Sequence, residues 1–164
     1  KLAPITELPF ETVDGLLDAC WMKPNQITFG HDTWRAFRKH PKVVQAVKGT
    51  VNAAGRLTRQ EVADAFEVNR VLVGSGRVNI AKPGLAPTLA RTWSNTISAQ
   101  FIDRSVTPET GGVTFGMTAV HGTRVAGTKN LDIGLRGGIA VRSGESLREL
   151  IVARRAGCLI TLTP

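Results

Sequence analysis

The run from Gly122 to Lys129, GTRVAGTK, comes nearest to the spacing of a phosphate-binding loop. A nucleotide-binding loop of this type needs a lysine directly after its second conserved glycine, and a helix whose N-terminus faces the phosphate. Thr128 stands where that lysine must be, and Lys129 comes one residue late. Since both flanks alternate like strands, the run predicts β structure and not a nucleotide site.

Histidines and acidic residues also lack the spacing of a catalytic or metal-binding site. His31, His40 and His121 do not have the short separations of zinc ligands. Asp14 and Asp18 lie one helical turn apart, a pattern more typical of a solvated helix stripe than of an acid–base pair. The sequence therefore predicts that the protein is not an enzyme and has no cofactor, no metal site and no catalytic residue.

Cys20 and Cys158 are far apart in the chain, and both have apolar neighbours. This context favours two buried free thiols over a disulfide. A signal peptide and a long apolar run are both lacking, so we expect neither secretion by that route nor a membrane span. The chain starts at Lys1 and not at methionine, which is compatible with a processed or truncated product.

Positive charge is concentrated in one part of the chain. The net charge is +8, and residues 31–59 hold seven arginines and lysines against one acidic residue. Such a cluster either attracts polyanions such as DNA or pairs with an acidic neighbouring subunit, and both interpretations stay open. The candidate patch consists of Arg35, Arg38, Lys39, Lys42 and Lys48. Aromatic residues make up only 5% and tyrosine is absent, which argues against a nucleic-acid reader built on stacking.

The elements that carry this charge are predicted as strand, turn, helix, proline break and helix. A short strand over 26–29 ends at Gly30, where the chain turns, and Asp32 or Thr33 can cap the next helix. Pro41 fits the first turn of a further helix. The aromatic residues that we interpret as packing anchors are Trp21, Trp34, Phe37 and Trp93.

Other segments complete a mixed first part and a β-rich second part. Residues 9–22 are predicted as a helix, and Thr58 with Glu61 forms a capping box that starts another. Nine of the 17 glycines fall between residues 111 and 144. Residues 147–162 are predicted as an extended, hairpin-like stretch interrupted at 154–157. The fold class is therefore α+β, with an α/β lobe over 1–105 and a β-rich segment over 106–164.

Six stretches, in order, resemble the major capsid proteins of tailed bacteriophages and prophages. They are DTWRAFR with HPKVV inside residues 27–47, EVADAFEVNRVLVG, NIAKPG, GVTFGMTAVHGTRVAG, DIGLRGG and VRSGESLRELI. Together they span about residues 10–155. None of these strings is a catalytic motif, so the resemblance depends on their shared order.

This resemblance implies the Hong Kong 97-type capsid fold, with an axial lobe over 1–105 and peripheral-lobe strands over 106–164. It also implies that the chain is the later portion of a coat subunit, because the N-terminal arm, extended loop and spine helix of such proteins are not recognisable. The implied function is self-assembly into the icosahedral head of a tailed phage or prophage, around double-stranded DNA. The implied partners are further copies of the subunit, DNA bound without sequence preference, and scaffold and portal proteins, with no membrane. The implied location is the virion, assembled in the cytoplasm of the bacterial host.

Two alternatives remain open from the sequence. An encapsulin-like compartment shell would have the same fold but would enclose protein cargo. A basic DNA-binding module would also explain the net charge of +8 without any shell.

Overall fold

The computed structural model describes residues 10–49 and 55–162. The described residues form four α-helices, α1 to α4, and eight strands, β1 to β8. The helices are Phe10–Asp18, His31–Phe37, Pro41–Lys48 and Arg59–Ala65. The strands are Gln26–Gly30, Arg70–Gly74, Arg77–Asn79, Leu89–Arg91, Thr96–Gln100, Gly116–Leu131, Gly138–Ile151 and Gly157–Thr161. The mixed α+β class predicted from the sequence is confirmed.

The chain divides into two compact units. The first runs to Phe115 and resumes at Ala153, and the second is Gly116–Val152. This differs from the predicted division into 1–105 and 106–164, because β8 pairs with β5 of the first unit. The predicted hairpin over 147–162 is also wrong, since β7 pairs with β6 instead. The sequence shows strand alternation but not which strand is the partner.

A four-stranded sheet in the order β2, β1, β5, β8 organises the first unit. β1 is parallel to β2 and antiparallel to β5, and its side chains Ile27 and Phe29 are fully buried. The aromatic ring of Phe29 lies 5.4 Å from that of Trp34 and 5.2 Å from that of Phe37. α2 is therefore held on the sheet by the strand that directly precedes it, at distances typical of favourable aromatic pairs.

The four aromatic residues predicted as packing anchors do not share one environment. Trp34 and Phe37 belong to the core of the first unit, with 6% and 0% of their surface exposed. Trp21 is 74% exposed, and the Arg155 guanidinium lies 4.2 Å above its ring. α1 ends at Asp18, so the helical spacing that would turn Trp21 inward does not extend that far. Trp93 is 38% exposed and lies against the last residue of β2.

The turn from β1 into α2 differs from its prediction, because neither Asp32 nor Thr33 caps the helix. Gly30 is the N-cap residue and makes no side-chain cap. The Thr33 hydroxyl instead donates to the carbonyl oxygen of Ser94 at 3.0 Å, and the Ser94 hydroxyl donates to the Asp32 carboxylate at 2.6 Å. Both side chains therefore form hydrogen bonds with Ser94, which ties the start of α2 to the segment that leads into β5.

α4 begins as its sequence predicts. The Glu61 amide donates to the Thr58 hydroxyl oxygen at 3.2 Å, and the Thr58 amide donates to the Glu61 carboxylate at 2.7 Å. This reciprocal capping box satisfies amides that the first turn of a helix would otherwise leave unpaired. Hydrogen bonds that the Thr58 amide and hydroxyl donate to the Glu61 carboxylate, together with the charge of Lys48, lower the pKa of Glu61.

The second unit is a two-stranded antiparallel ribbon of β6 and β7. Its register runs from Gly116 paired with Ile151 to Leu131 paired with Gly138, with an irregularity between His121 and Val125. The run from Gly122 to Lys129 thus lies within a long strand, which confirms its interpretation as β structure. Large apolar side chains are exposed along the ribbon, including Val120, Val125, Ile139, Val141, Leu147 and Ile151.

Cys20 and Cys158 meet in the first unit although 138 positions separate them. Both are free and half-buried, and they pack against the same core. Burial, a hydrogen bond between the two thiols and the charge of Cys158 raise the pKa of Cys20 to about 12. The Cys20 thiol also donates to the Leu16 carbonyl oxygen at 3.5 Å. Free thiols were expected, but their contact was not.

Replacement of Gly30 by alanine should strongly destabilise the first unit. A β-carbon at Gly30 would lie 1.9 Å from the Ser94 carbonyl oxygen, which already accepts from Thr33. We expect the free energy of unfolding to fall by roughly 1–3 kcal/mol or more, measured by urea denaturation. Gly15→Ala is the matched control, because Gly15 lies in α1 with open space around it and should gain about 0.5–1 kcal/mol. Equal midpoints for the two variants would contradict the close approach.

The Cys20 thiol should react slowly at mildly alkaline pH. With a pKa of about 12 it is almost entirely protonated at pH 8, whereas a free cysteine with a pKa of about 8.5 is partly thiolate. Iodoacetamide labelling followed by mass spectrometry should show Cys20 reacting at least ~100-fold more slowly in the folded chain than in urea.

The raised pKa also sets the direction of a pH effect on stability. The folded chain retains the Cys20 proton at pH values where the unfolded chain has lost it. The stabilising contribution is therefore complete below about pH 8.5 and decreases as the pH rises toward 12.

Cys158→Ala removes the thiol partner but not the burial, so labelling of Cys20 should accelerate only in part. Equal labelling rates for folded and unfolded wild type would show that the thiol is not buried as described.

Candidate functional site: a basic pocket at the end of α2

The five basic residues predicted as a patch divide into two groups. Arg35, Arg38 and Lys39 line one cavity at the C-terminal end of α2. Lys42 is exposed on α3 and does not line that cavity. Lys48 lies at the end of α3, 3.5 Å from the Glu61 carboxylate. The cavity therefore contains part of the predicted patch, and Lys48 belongs to an ion pair.

Arg56 completes the cavity. It is one of the seven basic residues of 31–59, but it is not part of the predicted patch. The Leu57 amide donates to the Arg38 carbonyl oxygen at 3.0 Å, which places residue 56 beside the end of α2. Leu57 itself is buried in the core and fixes this crossing. The interval of 18 positions between Arg38 and Arg56 carries no periodic signal, so only the fold could reveal the contact.

The helix itself directs Arg35 and Arg38 toward the cavity. Phe37 faces the core, and the Arg38 amide donates to the Trp34 carbonyl oxygen at 3.0 Å as the helix ends. Arg35 and Arg38 are three positions apart and therefore neighbours on the helix surface. α2 is therefore amphipathic. One face packs on β1, and the charged residues gather at the C-terminal end of the helix.

We call this cavity the basic pocket. It has a volume of about 200 Å³ and is lined by His31, Trp34, Arg35, Arg38, Lys39 and Arg56. Within the described part of the chain, none of its arginine and lysine side chains forms an ion pair. The Nε atom of Arg38 is buried and has no hydrogen-bond partner there. An arrangement of unpaired cations around a small cavity can hold an anion.

Asp32 does not neutralise the basic pocket although it lies on the same helix. Its carboxylate accepts from the Ser94 hydroxyl at 2.6 Å and lies 3.6 Å from Arg91. Ser94 lies in the segment that leads into β5, and Arg91 is the last residue of β4. Neither residue lines the pocket.

A second depression has the opposite charge but no catalytic arrangement. It is lined by acidic residues of α1 and of the segment after α4, among them Asp14, Asp18 and Glu67. Burial, and then the charge of Asp18, raise the pKa of Asp14, whereas a hydrogen bond from Lys23 lowers the pKa of Glu67. Lys23 and Glu67 thus neutralise each other, and Asp14 and Asp18 remain a partly solvated stripe, as the sequence predicted.

The described residues contain neither a cluster of metal ligands nor a membrane-spanning helix. Residues 10–49 and 55–162 contain no group of three histidine, cysteine or acidic side chains that could hold a metal ion. No helix in these ranges is long and apolar enough to span a bilayer.

Comparison with known proteins identifies relatives among phage proteins. The chain is 38% identical over 151 residues to the major capsid protein of Pseudomonas phage JBD67, an alignment that covers 91% of this chain and 48% of the relative. The chain thus spans about half the length of the curated relative it matches. No family profile matches the chain.

Two solved structures share the fold. A phage-related protein from Bordetella bronchiseptica RB50 superposes with a TM-score of 0.75 at 22% identity, covering 96% of this chain and 53% of that one. A protein described as a prophage capsid protein from E. coli CFT073 gives a TM-score of 0.54 at 11% identity, covering 98% of this chain and 50% of the other. Sequence similarity along nearly the whole chain and a shared fold agree: the chain is similar to about half of a phage major capsid protein.

Proposed function

We propose that the chain is part of a coat subunit that self-assembles into the icosahedral head of a tailed phage or prophage and encloses double-stranded DNA. The observation that carries this proposal is the 38% identity to a phage major capsid protein over 91% of the chain. In the Hong Kong 97-type fold that we propose, the first unit corresponds to an axial-type lobe and the ribbon to a peripheral-type element. The role is structural and not enzymatic.

The exposed apolar side chains of the ribbon support self-assembly. A two-stranded hairpin is marginally stable by itself in water. Its outward apolar residues stabilise it only if another surface covers them and removes them from water. Val141 is 77% exposed and Ile139 is 72% exposed. In a homo-oligomeric shell, neighbouring copies provide such a surface at every position of the lattice. We therefore propose that other copies of the subunit cover the ribbon.

The remaining partners follow from the same proposal. A head that encloses DNA must tolerate any sequence, which positive charge without base-reading side chains allows. The net charge of +8 and the low aromatic content of 5% fit that requirement. Scaffold and portal proteins are further proposed partners, and the proposed location is the virion, assembled in the cytoplasm of the bacterial host.

The coat function can be tested on the protein expressed from its entire gene. We expect electron microscopy to show closed shells, and the shells from infected or induced cells to contain nuclease-protected DNA. Closed shells filled with protein cargo and free of DNA would point to an encapsulin-like compartment. A protein that forms no shell but binds one short duplex tightly and specifically would be a DNA-binding module, and either result would overturn the proposal.

The ribbon can be tested separately by introducing a charge. Val141→Glu should abolish or strongly reduce shell formation, because the carboxylate would be buried without a partner when a neighbour covers position 141. Val141→Thr, which keeps the shape and adds no charge, should still assemble. Both variants should keep the thermal midpoint of the isolated chain, since the side chain is exposed there. Normal assembly of Val141→Glu would exclude position 141 from the interfaces.

A further inference from the structure

We propose that the basic pocket is a binding site for a phosphate group. The site consists of the arginines Arg35, Arg38 and Arg56 with Lys39 and His31, and the indole of Trp34 forms part of its wall. Nothing in the coat function by itself requires a defined pocket, because a diffuse positive surface is enough to balance enclosed DNA.

The first reason is the distribution of charge. Three cations of the first unit form ion pairs, Lys23 with Glu67, Lys48 with Glu61 and Arg91 with Asp32. Other cations, such as Lys42, are exposed singly to solvent. The basic pocket collects three guanidinium groups and one ammonium group without any acidic residue in its lining. Like charges gathered in this way repel one another, and a bound anion would convert that repulsion into attraction.

The second reason is the unpaired Nε atom of Arg38. It is buried, and no described residue accepts its proton. A buried donor without a partner costs free energy, which a ligand oxygen in the cavity would recover. Arginine offers its donors as a planar fork that matches the spacing of two oxygens of one oxyanion. Since Arg38 lines the pocket, its guanidinium group is the candidate for the inner ligand.

The third reason distinguishes phosphate from carboxylate. The pocket combines donors from three arginines and a lysine, and a carboxylate has only two oxygens with which to accept them. A phosphate group presents three or more oxygens in a tetrahedral arrangement and can engage several side chains together. The volume of about 200 Å³ is smaller than the roughly 300–1,000 Å³ of sites for drug-sized ligands, and so suits a small group.

The phosphate could come from two sources. Arg35, Lys39 and Arg56 are exposed, so the pocket is open to solvent and to a polymer lying across it. Free inorganic phosphate could occupy the pocket, and so could the backbone of double-stranded DNA. Only the DNA source rests on the proposed coat function, whereas the pocket itself can be tested on the chain alone.

The experiment is a phosphate titration of the chain that is monitored by nuclear magnetic resonance. Sodium phosphate is added at constant ionic strength against sodium chloride, and the Nε–H signal of Arg38 and the indole N–H signal of Trp34 are observed. We expect saturable shifts of both signals with phosphate and none with chloride. A parallel titration uses a short DNA duplex of arbitrary sequence at the same ionic strength.

Variants that each remove one positive charge distinguish binding in the pocket from attraction by the overall positive charge of the chain. Arg35→Gln and Arg38→Gln each remove one positive charge from the pocket and should weaken phosphate binding roughly tenfold or more. Lys42→Gln removes the same charge from exposed α3 and should weaken it less than about twofold. Arg35 is exposed, so its variant keeps the test valid even if Arg38→Gln lowers stability.

The outcomes are distinct. Loss of both phosphate and DNA binding in the pocket variants supports a phosphodiester ligand, and loss of phosphate binding alone supports free phosphate. The proposal is overturned if wild type shows no saturable shift, or if Lys42→Gln weakens binding as much as Arg35→Gln. It is also overturned if a glutamate-rich peptide shifts the two signals and phosphate does not. None of these results depends on whether shells form.

Discussion

The packing of Phe29 against Trp34 and Phe37 is the interaction on which the first unit depends. Phe29 belongs to a strand whose Ile27 and Phe29 are fully buried, and α2 starts immediately after that strand. Since only the N-cap residue Gly30 separates the buried part of the strand from the helix, the direction of α2 is set by how closely the chain can pass Ser94. A side chain at position 30 would push the helix away from the sheet. Every feature on the outer face of α2 depends on that close approach.

The basic pocket is one consequence of this constraint. With Trp34 and Phe37 held inward, Arg35 is exposed on the outer side of the helix, and Arg38 follows Trp34 by one helical turn and lies beside it. The backbone hydrogen bond between Leu57 and Arg38 then brings Arg56 to the same place. The same aromatic packing therefore positions both the core residues and the charged residues of this region. A loss of that packing would also disperse the pocket.

The two units differ in how they obtain stability. The first buries a continuous apolar core between a four-stranded sheet and its helices. The ribbon pairs its backbone groups along β6 and β7 but leaves large apolar side chains in water. In the shell that we propose, this difference has a simple physical reason, because an element that is incomplete alone gains stability when a neighbouring copy covers it.

The sequence by itself determined the elements whose signals are local. The capping box of Thr58 and Glu61, the proline at the start of α3 and the alternation of β6 were each predicted, because their causes lie within a few residues. The order of family-like strings also indicated the phage capsid relationship. The tertiary structure alone decided that β8 joins β5, that Cys20 meets Cys158, that Trp21 stays outside the core and that Arg56 joins Arg38. These are contacts across long stretches of chain, and their partners are chosen by the shape of the packed core, which no local pattern encodes.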